Sequence, residues 1–253
     1  MVTLIAGCNW TPDRSNPFDP NSPVYVEPPV SNRPPQINGL VVNTNCVNFP
    51  TEDQCGVTIK ARISDTDSNL RIGNVVATIN QLYFGHLAYD PVDTLWILTK
   101  QETELDSAVE RFVGSLVKVS VSDDSNAFAE DTVRFPSLFR DYPTINWPNS
   151  ISQCICPDYR NFSWNRWTGS GQARELEIKF YFLNFDLVPS LTISDINPSD
   201  TTVVVNQNFV PSDSNGTIFY GWRLFVVDRN GNSAGSVSGL FRYLETCTAE
   251  CGI

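Results

Sequence analysis

Cysteine is the residue type whose number and spacing indicate most about chemistry in this sequence. Seven cysteines occur in 253 residues, and an odd number leaves at least one outside any set of intrachain disulfides. The seven are Cys8, Cys46, Cys55, Cys154, Cys156, Cys247 and Cys251. Cys8 stands apart, directly ahead of a proline-rich stretch, which leaves the other six to form three disulfides.

The residues around Cys8 indicate a lipid anchor. Leu4-Ile5-Ala6-Gly7-Cys8 places an apolar residue and two small residues before a cysteine. This resembles the lipobox of bacterial lipoproteins, which implies that Cys8 becomes the first residue and carries lipid. Asn9, rather than Asp, follows the cysteine, which in that family implies the outer membrane. The pattern departs upstream, because the residues before Cys8 include no Lys or Arg and are few for an apolar segment of about 7–15 residues.

The spacing of the other six cysteines predicts disulfides. Cys46 and Cys55 are nine residues apart, which suits a bridge that closes a loop between two strands. The remaining four lie near the two ends of the second half of the chain: Cys154, Cys156, Cys247 and Cys251. Two bridges there could tie the first and last strands together, with the pairing left open. The alternative is a four-thiolate zinc site, but zinc ribbons use C-x₂-C pairs, which these spacings fit poorly, and an exported protein favours oxidation.

Groups for catalysis are scarce. The chain has one histidine, His86, set between Phe, Leu and Tyr, and it has no Gly-x-Ser-x-Gly elbow for a nucleophilic serine. Pairs of carboxylates that could serve a glycosidase fall in predicted turns, where such side chains bond their own backbone. We therefore predict that the protein is not an enzyme.

The same acidic turns are candidate calcium sites. Asp65 and Asp67 follow one predicted core strand, and Asp123 and Asp124 follow another. Calcium takes six to eight oxygen ligands, and the two turns could share an ion if they lie at one end of a sandwich. The turn chemistry of Asp alone accounts for these residues, so the sequence predicts no cofactor, with calcium as the alternative at these turns.

Three aromatic side chains are candidates for ligand binding. Tyr159, Trp164 and Trp167 lie close together in sequence beside Arg166, as in platforms on which sugars or peptides stack. The competing and favoured interpretation is that Trp164 belongs to the core and Trp167 packs against a loop.

Charge and hydropathy argue against a nucleic-acid-binding protein and against a protein with a transmembrane helix. The formal net charge is −11. A chain this acidic lacks the positive charge by which nucleic-acid-binding proteins contact phosphates, and it is disfavoured from adsorbing directly to anionic lipid. No run of 18 apolar residues is present, so the sequence predicts no transmembrane helix. Contact with a membrane would therefore depend on the acyl chain at Cys8.

Residue patterns predict an all-β protein. Residues 9–35 hold eight of the seventeen prolines, which predicts an extended tether rather than a helix or a central strand. Residues 57–63 alternate strictly between apolar and polar, as in a half-buried strand. Other runs typical of strands, some alternating and some continuously apolar or β-branched, occur at 74–79, 95–98, 117–121, 133–135, 162–164, 176–182, 202–205 and 218–227. Only 104–112 suggests a helical turn or two.

Several motifs resemble those of sandwich domains. Pro34-Pro35, then Ser64-Asp65-Thr66-Asp67, then Val119-Ser120-Val121-Ser122-Asp123 resembles a bacterial immunoglobulin-like domain. Residues 220–232 and Trp164 resemble a late strand with its turn, and the strand B tryptophan, of fibronectin type III-like domains. The resemblance implies two tandem β-sandwiches, immunoglobulin-like at 36–142 and fibronectin type III-like at 143–253, after an N-terminal segment at 1–35. Long connections at 80–116 and 183–201 depart from it and leave a single composite fold as an alternative.

Together these features predict a non-enzymatic, lipid-anchored protein of the cell envelope. It would be a structural, adhesive or assembly component of the surface or of an appendage, with a protein partner that docks on strand edges or loops. One alternative is a carbohydrate-binding surface module with a glycan partner, and another is a soluble structural subunit of a filament or virion. The expected location is the outer membrane or the cell surface.

Overall fold

The computed structural model describes residues 32–105, 107–169, 173–182, 191–206, 209 and 219–247, with only the backbone of 71, 72 and 182. Nearly all of the predicted tether lies outside these residues, as do Cys8 and Cys251. Within them the fold is all-β, as predicted, and no α-helix occurs. Where the sequence suggests a helical turn or two, at 104–112, the structure has the 3₁₀ helix Val109–Phe112, and a second 3₁₀ helix, Glu102–Glu104, lies at the start of that range.

Eight strands build the first sandwich. They are β1 (Gln36–Val47), β2 (Gln54–Ser64), β3 (Leu70–Ile79), β4 (Leu82–His86), β5 (Ala88–Asp90), β6 (Leu95–Gln101), β7 (Leu116–Asp123) and β8 (Phe128–Arg134). One face has the order β5-β6-β2-β1 and the other β4-β3-β7-β8. Lettered in chain order, this is the ABED sheet facing the CFG sheet of an immunoglobulin-like domain, with an added strand beside C.

Alternating residues of facing strands fill the first core. Val57, Ile59 and Ala61 of β2 are fully buried, and the polar residues between them point to the other face, as the sequence pattern predicts. Residues 117, 119 and 121 of β7 pack against them from the opposite sheet. The burial of every second residue fixes the register in which each of these strands pairs with the neighbours in its own sheet.

Nine strands build the second sandwich. They are β9 (Ile145–Trp147), β10 (Cys154–Ile155), β11 (Asn161–Trp164), β12 (Ala173–Phe182), β13 (Leu191–Ile196), β14 (Thr202–Val204), β15 (Tyr220–Asp228), β16 (Ser233–Gly235) and β17 (Gly239–Tyr243). The three-stranded sheet β14-β11-β9 faces a sheet in which β13, β12, β15 and β17 follow one another and β10 adds in parallel to β17. This three-on-four order is that of a fibronectin type III-like sandwich.

Aromatic side chains dominate the second core. The ring of Phe162 lies edge-to-face against Phe180, Trp222 and Phe241, at centroid distances of 5.0, 5.1 and 5.4 Å. All four side chains are fully buried. Edge-to-face pairs of this kind add to the stabilisation that comes from area burial alone.

The two sandwiches are joined by a shared sheet. Strand β16 lies between β15 of the second sandwich and β1 of the first, antiparallel to β15 and parallel to β1. The result is one ten-stranded sheet that runs through both sandwiches. The two sandwiches therefore share one sheet, which is a feature of the single composite fold named above as the alternative to two separate tandem domains.

The connection between the sandwiches is itself packed. Strand β8 ends at Arg134 and β9 begins at Ile145, so the boundary predicted after residue 142 falls between them. Phe135 is buried in the first core and Phe139 in the second. Tyr142 packs against both cores, which ties the connection to each sandwich.

Candidate functional site

The cysteines of the described residues are disulfide-bonded. Cys46 and Cys55 are directly opposite in the β1–β2 hairpin and are bonded, as the sequence predicts. Cys156 is bonded to Cys247, and Cys154 is also disulfide-bonded. Sulfurs in disulfides are not thiolate ligands, so these three residues do not form the alternative zinc site.

The two acidic turns of the first sandwich meet at one end, as expected for a shared site. The carboxylate of Asp65 accepts hydrogen bonds from the backbone N–H groups of Asp67 and Asn69, both at 3.2 Å. The carboxylate of Asp123, which is 1% exposed, accepts from Ser125 and Ala127 at 2.8 Å. The backbone N–H of Asp124 donates to the carbonyl oxygen of Asn69, which joins the turns.

These bonds are those of self-capped turns. Each carboxylate holds its own loop in place, in the manner of an Asx-turn. No cluster of three or more His, Cys, Asp or Glu side chains suited to a metal ion occurs among the described residues. A calcium ion at Asp65, Asp67, Asp123 and Asp124 stays a prediction.

The three candidate aromatic residues do not share one exposed platform. Trp164 lies in β11, is 2% exposed, and donates its indole N–H to the carbonyl oxygen of Asp200 at 2.7 Å. Trp167 is half-buried against the second core and donates to the carbonyl of Asp141 at 3.3 Å. Tyr159 packs beside the buried Cys154 and Cys156. The favoured packing interpretation fits this placement, and the faces of Trp164 are not available for stacking.

His86 lies at the exposed end of β4. Its ring contacts the edge of Tyr83, with centroids 5.6 Å apart.

A hydrogen-bonded turn of the second sandwich holds the first strand of the first sandwich. The Asn232 side-chain oxygen accepts from the backbone N–H of Thr44 at 2.9 Å and from its hydroxyl at 3.2 Å. The Asn232 amide in turn donates to the carboxylate of Asp228 at 2.9 Å. All three residues are at most 4% exposed, so these bonds are shielded from water. We call Thr44, Asp228 and Asn232 the junction clamp.

A cleft of about 440 Å³ opens beside this junction. The first sandwich lines it with Asn45, Val47, Asn48, Phe49, Gln54 and Gln101. The second sandwich lines it with Tyr181, Arg223, Phe225 and Ser238. Clefts between domains, of this volume and with a mixture of aromatic and polar groups, are the usual form of a small-molecule site. The junction cleft is the candidate functional site.

Arg223 is the charged group in the described lining of the cleft. Its guanidinium carbon lies 4.5 Å from the centre of the Phe49 ring, and its Nε donates to the hydroxyl of Ser238 at 2.7 Å. Burial lowers the pKa of Arg223 and raises that of the nearby Tyr181 hydroxyl. Both shifts follow from the cost of removing a charge from water.

A second cation lies next to Arg223. Lys179 is its directly opposite partner across β12 and β15. The ammonium of Lys179 lies 4.3 Å from the centre of the Phe225 ring and 3.2 Å from the Glu177 carboxylate. Like charges that face each other across strands repel, and the Glu177 carboxylate reduces this repulsion by offsetting the charge of Lys179.

Sequence reasoning missed the junction cleft. One signal was available, because Arg223 is a single charge in the middle of an otherwise apolar strand. Phe49 carried no such signal, since it lies in the loop between Cys46 and Cys55, far from Arg223 in sequence. Only pairing between β1 and β16 brings them together.

Comparisons with known proteins find similar folds and no family. No protein-family model and no curated protein matches the chain. Among solved structures, fibronectin(III)-like modules of Clostridium thermocellum CbhA are 10% identical, with 84% of this chain and 94% of that chain covered and a TM-score of 0.33. The FN1–FN3 domains of chicken CNTN1 are 9% identical, with 85% and 69% covered and a TM-score of 0.32. A bacterial ice-binding adhesin is 14% identical, with 85% and 66% covered and a TM-score of 0.27.

These similarities are low, and the strand order described above is what defines the fold. None of the helices in the described part of the chain has the length and apolar character needed to cross a membrane.

Proposed function

We propose that this protein is a non-enzymatic structural component of a bacterial cell envelope, anchored by a lipid on Cys8. The observation that carries the proposal is the joining of two sandwiches by one continuous sheet and the junction clamp. A shared sheet opposes bending between the sandwiches, as a spacer that holds a partner away from a surface requires. The proline-rich sequence at 9–35 would add reach between the anchor and this spacer.

The disulfides support the proposed location. Disulfides persist in oxidising compartments, such as the periplasm and the cell surface, and are rare in the cytosol. Cys46–Cys55 and Cys156–Cys247 fit that environment. Placement in the outer membrane depends in addition on the sequence around Cys8 and Asn9.

A protein partner in the envelope or in an appendage remains part of the proposal. Strands β4 and β8 form the two edges of one sheet of the first sandwich. Strand β8 carries Glu130, Asp131 and Arg134, and charges of this kind discourage edge pairing. Strand β4 instead exposes Leu82 and Tyr83, at 75% and 65%, which makes its edge the better candidate for a partner strand.

Intact mass spectrometry tests the anchor and the compartment together. The protein would be purified without reductant from the cells that make it. We expect a chain that begins at Cys8, carries the mass of acyl groups, and lacks one proton at each of the other six cysteines. A chain that retains Met1 with free thiols would contradict both the lipid anchor and the envelope location.

A further inference from the structure

The junction cleft has a charge opposite to that of the molecule as a whole. The chain carries a formal charge of −11, yet the described lining of the cleft contains Arg223 and no Asp or Glu. Lys179 is the directly opposite neighbour of Arg223 in the next strand, but the Glu177 carboxylate at 3.2 Å offsets its charge, so the positive potential of the described lining comes from Arg223. A partly buried cation attracts an anion more strongly than an exposed one does.

The chemistry of Arg223 suits a carboxylate. Its planar guanidinium presents several N–H donors, a geometry that matches two oxygens of one carboxylate. Stacking on Phe49 at 4.5 Å and the bond from Nε to Ser238 fix the plane of the group. A fixed plane lowers the entropy lost when a ligand binds.

The rest of the lining suits hydroxyl groups rather than a peptide strand. Asn48, Gln54 and Gln101 offer amides that both donate and accept hydrogen bonds. The strands that border the cleft are already paired on both sides, β1 with β2 and β16, and β15 with β12 and β16. They leave no row of backbone groups for an added strand, so recognition would depend on side chains.

We propose that the junction cleft binds an acidic oligosaccharide, with the carboxylate of a uronic acid on Arg223. The amides of Asn48, Gln54 and Gln101 would bind hydroxyls, and the half-buried Val47 and Val237 would contact the apolar face of a sugar ring. A volume of about 440 Å³ holds a few sugar units at most. The inference concerns the cleft alone and stands whether or not Cys8 carries lipid.

The test is a titration of the full, disulfide-intact chain followed by NMR. Two probes are used, trigalacturonic acid and a hyaluronan tetrasaccharide, and each is compared with its methyl-esterified form. We expect at least one acid to shift the Nε–Hε signal of Arg223 and the backbone amide of Asn48. We expect esterification, which removes the charge and keeps the sugar, to weaken binding about tenfold or more. Affinity should also fall as salt is raised.

Variants locate the site. Arg223→Gln should weaken binding of the acid about tenfold or more, and Arg223→Lys, which keeps the charge but loses the planar group, should weaken it less. Arg62→Gln is the matched control, because it removes one exposed positive charge from β2 outside the cleft. Its affinity should be unchanged.

Three results would overturn the proposal. They are no binding of either acid, equal binding of the acid and its ester, and equal loss in Arg62→Gln and Arg223→Gln. The comparison of acid with ester uses the unaltered protein, so it decides the matter even if Arg223→Gln fails to fold. A short acidic peptide that binds the cleft when neither saccharide does would also contradict the assignment.

Discussion

Replacing Asn232 with alanine is expected to lower the free energy of unfolding by about 2–4 kcal/mol. The side chain is 2% exposed and accepts from both the N–H and the hydroxyl of Thr44, which is 1% exposed. Alanine would leave both donors buried without that acceptor, and an unsatisfied buried group costs about 1–3 kcal/mol. Chemical denaturation, followed by fluorescence and circular dichroism, measures the change.

Arg229→Ala is the control for the junction clamp. Arg229 belongs to the same turn but is exposed, so its removal should change stability by no more than about 0.5 kcal/mol. Because Asn232 joins two cores, its loss should also separate their unfolding into two steps. Equal and small effects of the two substitutions would show that the clamp does not hold the sandwiches together.

Replacing all four cysteines of the second half with serine is expected to have a larger effect. The Cys156–Cys247 bond spans 91 residues, and a loop of this size corresponds to about 4–5 kcal/mol in the chain-entropy model. Replacing only Cys46 and Cys55, which are separated by nine residues, should cost about 2–3 kcal/mol. Thermal or chemical denaturation of the two variants tests this order, and a reversed order would contradict it.

Replacing only Cys156 and Cys247 with serine tests which cysteine is the disulfide partner of Cys154. Cys154 is disulfide-bonded, and the other cysteines of the described residues are already paired with each other. We expect Cys251 to be its partner. A bond from Cys154 to Cys251 would keep the long loop closed, so Cys156→Ser with Cys247→Ser should cost much less than the fourfold change. A loss as large as that of the fourfold variant would rule this pairing out.

Sequence patterns predict those parts of the fold that depend on residues close together in the chain. Strand β2 follows from the alternation of Val57, Ile59 and Ala61, because a strand with one buried face must repeat every two residues. Burial of Trp164 fits its place between Phe162 and a turn. The disulfide between Cys46 and Cys55 follows from a spacing that suits a hairpin.

The junction could not be predicted because it depends on pairing between distant segments. Strand β1 carries Gly39 and several asparagines, which hide its alternation, and β16 is only three residues long. Their pairing joins residues 188 apart, such as Asn45 and Ser233. The sequence at 228–232 predicts a turn, but nothing local indicates that the Asn232 side chain reaches Thr44. The cleft, which that pairing creates, was hidden for the same reason.

Residual dipolar couplings from the disulfide-intact chain in a weakly aligning medium test whether the two sandwiches form one rigid unit. A shared sheet between β1 and β16 requires the two sandwiches to tumble as one body. We expect the couplings of 36–134 and 145–243 to fit one alignment tensor. Two tensors of different magnitude in the unaltered protein would contradict the shared sheet and, with it, the proposed role as a stiff spacer.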